Sequence, residues 1–127
     1  KERGAGIIGV SGGKSQHGVL SAAARGGYLT IGMDNDQCPQ YPDTCVASVL
    51  VKLDQWVYDV MNQVRTSSFT PGHNQVGLVE GAVDICSFGD ADHKLGSQLP
   101  KVIVDTIANL REQILSGAVT ISGTPEL

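Results

Sequence analysis

The sequence predicts an α/β fold in one domain, a mostly parallel sheet flanked by helices. Three observations carry this. Short apolar runs alternate with stretches of helical periodicity, as in βαβ units. Glycine-rich turns separate them. The 127 residues, 41% apolar and 17% charged, amount to one ordinary packed domain.

Gly6-Ile7-Ile8-Gly9-Val10 is the first apolar run and ends in Ser11-Gly12-Gly13. Val19 to Arg25 is helix-compatible, and Gly26-Gly27 stops it. Tyr28 to Met33 reads as the next strand, which closes a βαβ unit and makes the two strands parallel. After a Pro-rich segment, Val46 to Leu50 is extended. Leu53, Trp56, Val57, Val60, Met61 and Val64 recur at helical spacing, and this stripe is read as core. Ser67 to Asn74 is a loop, Val76 to Val79 and Val83 to Cys86 are short strand candidates, and Gly89 to Ser97 is a polar loop. Pro100 opens a last helix whose apolar face is Ile103, Ile107, Leu110 and Ile114; Gly117 ends it, and Val119 to Ile121 is a final strand candidate.

Composition excludes several functions. A formal charge of -4 and a pI near 5.1, with no basic cluster, argue against a nucleic-acid surface. No apolar run approaches the 18 or more residues of a membrane helix. The chain begins Lys1-Glu2-Arg3-Gly4 without an initiator Met. It reads as a processed piece from which any export signal has been removed. Cys38 and Cys45 flank a Pro-rich segment that can double back into a small disulfide-closed loop, which implies an oxidising compartment. Cys86, in an apolar run, reads as a buried inert thiol. Neither a C-x-x-C motif nor a His pair is present, so no metal site is expected, and His17, His73 and His93 read as surface or loop residues.

The segment Gly32-Met33-Asp34-Asn35-Asp36-Gln37 places carboxylates at the exit of a strand, where open α/β sheets bind small polar ligands. The pairs Asp34/Asp36 and Asp90/Asp92 point the same way if extended, yet paired acids alone make no hydrolase. No nucleophile elbow or partnered His accompanies them, and no catalytic residue is expected. Gly9 to Ser15 approaches a phosphate-binding loop, but position 8 is Ile8 where the first Gly belongs, leaving the loop one residue short. Backbone amides at Gly12-Gly13 still allow close approach of a ligand.

In order and spacing, several segments resemble the basic membrane protein (BMP) family of extracytoplasmic solute-binding proteins, whose best-known members are purine nucleoside receptors of ABC transporters. They are Gly12-Gly13, Gly32 to Gln37, Pro42-Asp43-Thr44, Ser48-Val49, Val57-Tyr58, Gly77 to Val83, and Leu99-Pro100 through Gly117. The resemblance implies a Rossmann-like lobe of a type I periplasmic-binding-protein fold, which binds at a hinge without chemistry on the ligand. It implies no cofactor. It covers the C-terminal part of the family only, with the N-terminal lobe absent.

The family's ribose-contacting Asp falls on Asp34 and its Gly-rich ligand loop on Gly12 and Gly13. Its ligand-contacting Lys falls on Val51, while Lys52 stands one place along, about 100° away if helical. The Gly12-Gly13 loop is one residue longer than the family's. Two readings follow. One is a solute-binding protein, or its C-terminal half, taking a nucleoside or similar sugar-bearing molecule through Asp34, Gly12, Gly13 and Lys52 outside the cytoplasm. The other is a secreted structural or interaction protein that reuses the lobe without a ligand. In either, a second chain, whether the missing lobe or another copy, is expected to cover the Trp56 helix.

Overall fold

A computed structural model describes residues 4–88 and 92–121 of the chain. It contains strands β1 (Ile7–Gly9), β2 (Leu29–Asp34), β3 (Cys45–Val51) and β4 (Val83–Ile85) and helices α1 (Gln16–Gly26), α2 (Leu53–Arg65) and α3 (Lys101–Leu115). The sheet order is β1-β2-β3-β4. The first three strands are parallel, and β4 runs antiparallel to β3. The expected βαβ unit is β1-α1-β2. Gly27 ends α1 at φ 66°, a left-handed conformation that glycine adopts without a Cβ penalty.

Side chains converge on β3. Cys45, Val46, Ala47 and Ser48 are all buried, as a strand covered on both faces requires. Between Thr30 and Ile31 the register slips: Thr30 pairs with Cys45 and Ile31 with Ala47, so Val46 is the extra residue of a bulge. Leu20 and Ala23 seal one face from α1. Cys38, Cys45, Ala47 and Cys86 form a buried cluster, with Tyr41, Leu50, Ile85 and Phe88 packed around it.

Several expectations are corrected. Of the stripe, Leu53, Trp56, Val57, Met61 and Val64 are exposed and Val60 is half-buried, and α2 buries none of its residues. α3 likewise buries none, with Val102, Ile103 and Leu110 exposed. Val76 to Val79 forms no strand. Leu78–Gly81 is a turn, in which Gly81 N–H donates to Leu78 O at 3.1 Å and Gly77 N–H to the Glu80 carboxylate at 2.7 Å. These local bonds occupy the groups a ladder would need. Val119 to Ile121 is not a strand either: Val119 N–H folds back to Gln113 O at 3.0 Å. The loop before α3 contains a 3₁₀ turn, Gly96–Gln98, and its residues 89–91 lie outside the described residues.

Candidate ligand site at the carboxyl edge of the sheet

Because β1 and β2 are parallel and adjacent, the loops leaving their carboxyl ends are neighbours. After β1 the chain passes through Gly12-Gly13 and a 3₁₀ turn, Gly13–Ser15, directly into α1. Gly13 sits at φ 52°. No side chain caps either helical start; the Ser15 amide is taken by Gly12 O at 3.1 Å and the Gln16 amide by Gly13 O, so any amide donors for a ligand lie in the Gly12-Gly13 turn ahead of α1. After β2 the chain turns at Asp34, a non-glycine residue at φ 74°. Asp tolerates the left-handed region at some cost, and such outliers gather at ligand sites.

The two loops enclose a recess of about 190 Å³ lined by Gly13, Lys14, Gln16, His17, Asp34, Asn35 and Gln37. Gly12 immediately precedes this lining, and its carbonyl accepts from Ser15 N–H at 3.1 Å. Gln16 is buried, and its Oε1 has no hydrogen-bond partner among the described residues. A buried amide oxygen left without a donor costs about 1–3 kcal/mol, which an incoming donor can recover.

Asp34 and Asp36 do not point the same way. The turn at Asp34 breaks the extended geometry that alignment requires, and the Asp36 carboxylate turns instead to the Cys38 amide and His93. Asp36 Oδ1 accepts from Cys38 N–H at 3.1 Å, and its Oδ2 lies 2.7 Å from His93 Nε2. Gln37 N–H donates to the Ser48 hydroxyl at 2.9 Å, tying the turn to β3. Asp90 lies outside the described residues.

Lys52 stands at the same edge of the sheet but does not line the recess. It is not in a helix: Val51 ends β3 and Lys52 caps α2, so the 100° helical offset does not apply. Its Nζ lies 3.1 Å from Asp84 Oδ2, and Arg111 Nε approaches Asp84 Oδ1 at 3.3 Å. Burial on its own would raise the Asp84 carboxyl; hydrogen bonds from Arg111, the Ile85 amide and Lys52 outweigh it and hold the group below the usual carboxylate range.

Cys38 and Cys45 are brought together with Sγ atoms 3.1 Å apart, but as free thiols and not as the expected disulfide. Cys86 is buried and lies 3.9 Å from Cys38. The Cys38 S–H donates to Cys45 Sγ, which lowers Cys45, while hydrogen bonding to its two sulfur neighbours and burial push Cys38 up. His93, read from sequence as a surface or loop residue, is in a loop but buried, 6% exposed.

The Bmp family model, described as ABC transporter substrate-binding protein PnrA-like, matches residues 1–124. The chain belongs to the Bmp family. Two solved structures share the fold of this Bmp chain. One is described as a transcriptional activator of the comK gene from Bacillus halodurans: it is 15% identical at a TM-score of 0.81, and the match covers 95% of this chain and 40% of that one. The other is described as an ABC transporter system solute-binding protein from Aeropyrum pernix K1: it is 23% identical at 0.71, covering 98% and 42%. At these identities the likeness establishes the α/β binding-protein fold alone. The Bmp chain spans about two-fifths of the length of each. A comparison with curated proteins gives no match.

Sequence reasoning did not single out Lys14, Gln16 or His17, which line the recess of this Bmp chain. The helix was read as starting at Val19. The structure begins it at Gln16, so these residues belong to a helix entry and not to a loop. The missed signal was the Gly-Gly turn itself, since a helix that opens directly after it presents its first side chains to the same edge.

Proposed function

We propose that this chain is the C-terminal part of an extracytoplasmic solute-binding protein and supplies one wall of a site for a nucleoside or similar sugar-bearing solute. Asp34 accepts hydrogen bonds from the sugar hydroxyls, and the Gly12-Gly13 turn offers amide donors to the same molecule. Lys52 is assigned to the site's edge, on condition that its ion pair with Asp84 opens. The protein binds and releases its solute without chemistry on it. What supports the reading is the recess that Gly13, Gln16 and Asp34 share at the carboxyl ends of two parallel strands, in a chain of the Bmp family.

Size argues for a wall and not a whole site. Drug-sized ligands occupy pockets of roughly 300–1,000 Å³, against about 190 Å³ here. The rest of the cleft, and the cover over α2, come in this reading from a second lobe, since the solved relatives extend well beyond the stretch this chain matches.

Thermal-shift screening with nucleosides tests the reading. A nucleoside at 100 times its Kd adds about 2.7 kcal/mol of stability, and Asp34→Ala removes that gain. No shift with any nucleoside, or an equal shift in Asp34→Ala, refutes the assignment; an unchanged affinity in Lys52→Ala removes Lys52 alone. The second reading, an interaction protein that has lost its ligand, is favoured by Val51 at the position of the family's Lys. It predicts no shift at all.

A further inference from the structure

We propose that Asp36, Cys38, Cys86 and His93 form a binding site for a tetrahedrally coordinated transition-metal cation, zinc being the metal this donor set fits. The proposal does not depend on the solute reading. One ligand atom from each residue lies within 4.8 Å of all the others. Cys38 Sγ and Cys86 Sγ are 3.9 Å apart. Two thiolates each at 2.3 Å from a tetrahedral ion stand about 3.8 Å apart, so this pair needs almost no movement. His93 Nε2 and Asp36 Oδ2 touch at 2.7 Å and must separate by about 0.6–0.7 Å to become neighbouring ligands. Two sulfurs, one imidazole nitrogen and one carboxylate oxygen suit a borderline cation such as Zn²⁺ better than Mg²⁺ or Ca²⁺.

Three of the four ligands are buried. Cys38, Cys86 and His93 are 0%, 4% and 6% exposed, while the Asp36 side chain is 31% exposed and opens to solvent. Ser48 N–H donates to Cys86 Sγ at 3.0 Å, and Cys38 N–H holds Asp36 Oδ1 at 3.1 Å so that Oδ2 faces His93. Donors of this kind orient and stabilise metal-bound ligands. Binding is charge-balanced without a redox step: the cation enters, the Cys38 and Cys86 S–H bonds break, and two protons leave to solvent. Cys45, 3.1 Å from Cys38 but outside the four, offers the rival fate: oxidation of Cys38 and Cys45 to a disulfide removes Cys38 as a ligand.

Titration of the reduced chain with Co²⁺ decides between these fates. The expected result is one equivalent bound, with a thiolate-to-cobalt charge-transfer band and tetrahedral visible bands that Zn²⁺ bleaches. Cys86→Ser and His93→Ala, each checked for folding by circular dichroism, weaken binding by at least about tenfold. Cys45→Ser, which cannot form the disulfide, keeps the cobalt spectrum. A folded, reduced Cys45→Ser chain that binds no cobalt overturns the proposal. So does a cobalt spectrum unchanged in His93→Ala.

Discussion

At the residue scale, Gly32 shows why the turn after β2 has the sequence it has. A Cβ at this position would lie 2.6 Å from Gln37 Cγ, 2.8 Å from Gln37 Cβ and 2.9 Å from Ser48 Oγ. Side-chain carbon would therefore displace the contact that closes the turn onto β3. Overpacking of this kind costs about 1–3 kcal/mol, so Gly32→Ala should lower the urea midpoint at unchanged m-value. A midpoint equal to wild type would show that the turn has room to spare. Asp84 makes a second residue-scale prediction. Its folded-state pKa is depressed, so its contribution is fully present above the unfolded value of about 3.9 and is lost as the pH falls through the lower folded value. Stability measured by urea denaturation should fall on acidification below about pH 4, and Asp84→Asn should flatten that fall. An identical acid limb in Asp84→Asn would remove Asp84 as its source.

At the scale of elements, legibility followed how local the determining physics is. The Gly-Gly stop of α1, the helical period of α2 and Pro100 ahead of α3 are written in neighbouring residues, and each helix forms where its pattern lies. Val76 to Val79 has strand-forming side chains, yet Glu80 reaches back to the Gly77 amide and converts the run into a turn. The candidate site was half legible. Asp34 and Gly13 share a recess because two apolar runs proved parallel and adjacent, an outcome the βαβ pattern dictates. The Asp36, Cys38, Cys86 and His93 cluster was not legible. Its members come from three segments, up to 57 positions apart, and no spacing rule links them before the fold does.

At the scale of the whole molecule, the period of a helix tells which residues share a face and not what that face meets. α2 has a clear apolar stripe, and Trp56, Val57, Met61 and Val64 are nonetheless exposed. With Phe69 and Val76 this helix borders a recess of about 450 Å³. Exposed apolar surface of this extent marks an interface, which in the proposed function belongs to a second lobe. The isolated chain should therefore bind a hydrophobic dye or self-associate in native mass measurements, and Met61→Glu with Val64→Glu should diminish both. A stable, dye-silent monomer would count against any cover.

Ser48 touches both halves of this story. Its hydroxyl accepts from the Gln37 amide in the Asp34 turn, its own amide donates to Cys86 Sγ, and its carbonyl receives Cys86 N–H at 2.9 Å. Ser48 is fully buried. With both proposed ligands present, thermodynamic reciprocity fixes the result: whatever factor a cation at Cys86 applies to solute affinity at Asp34, the solute applies to cation affinity in return.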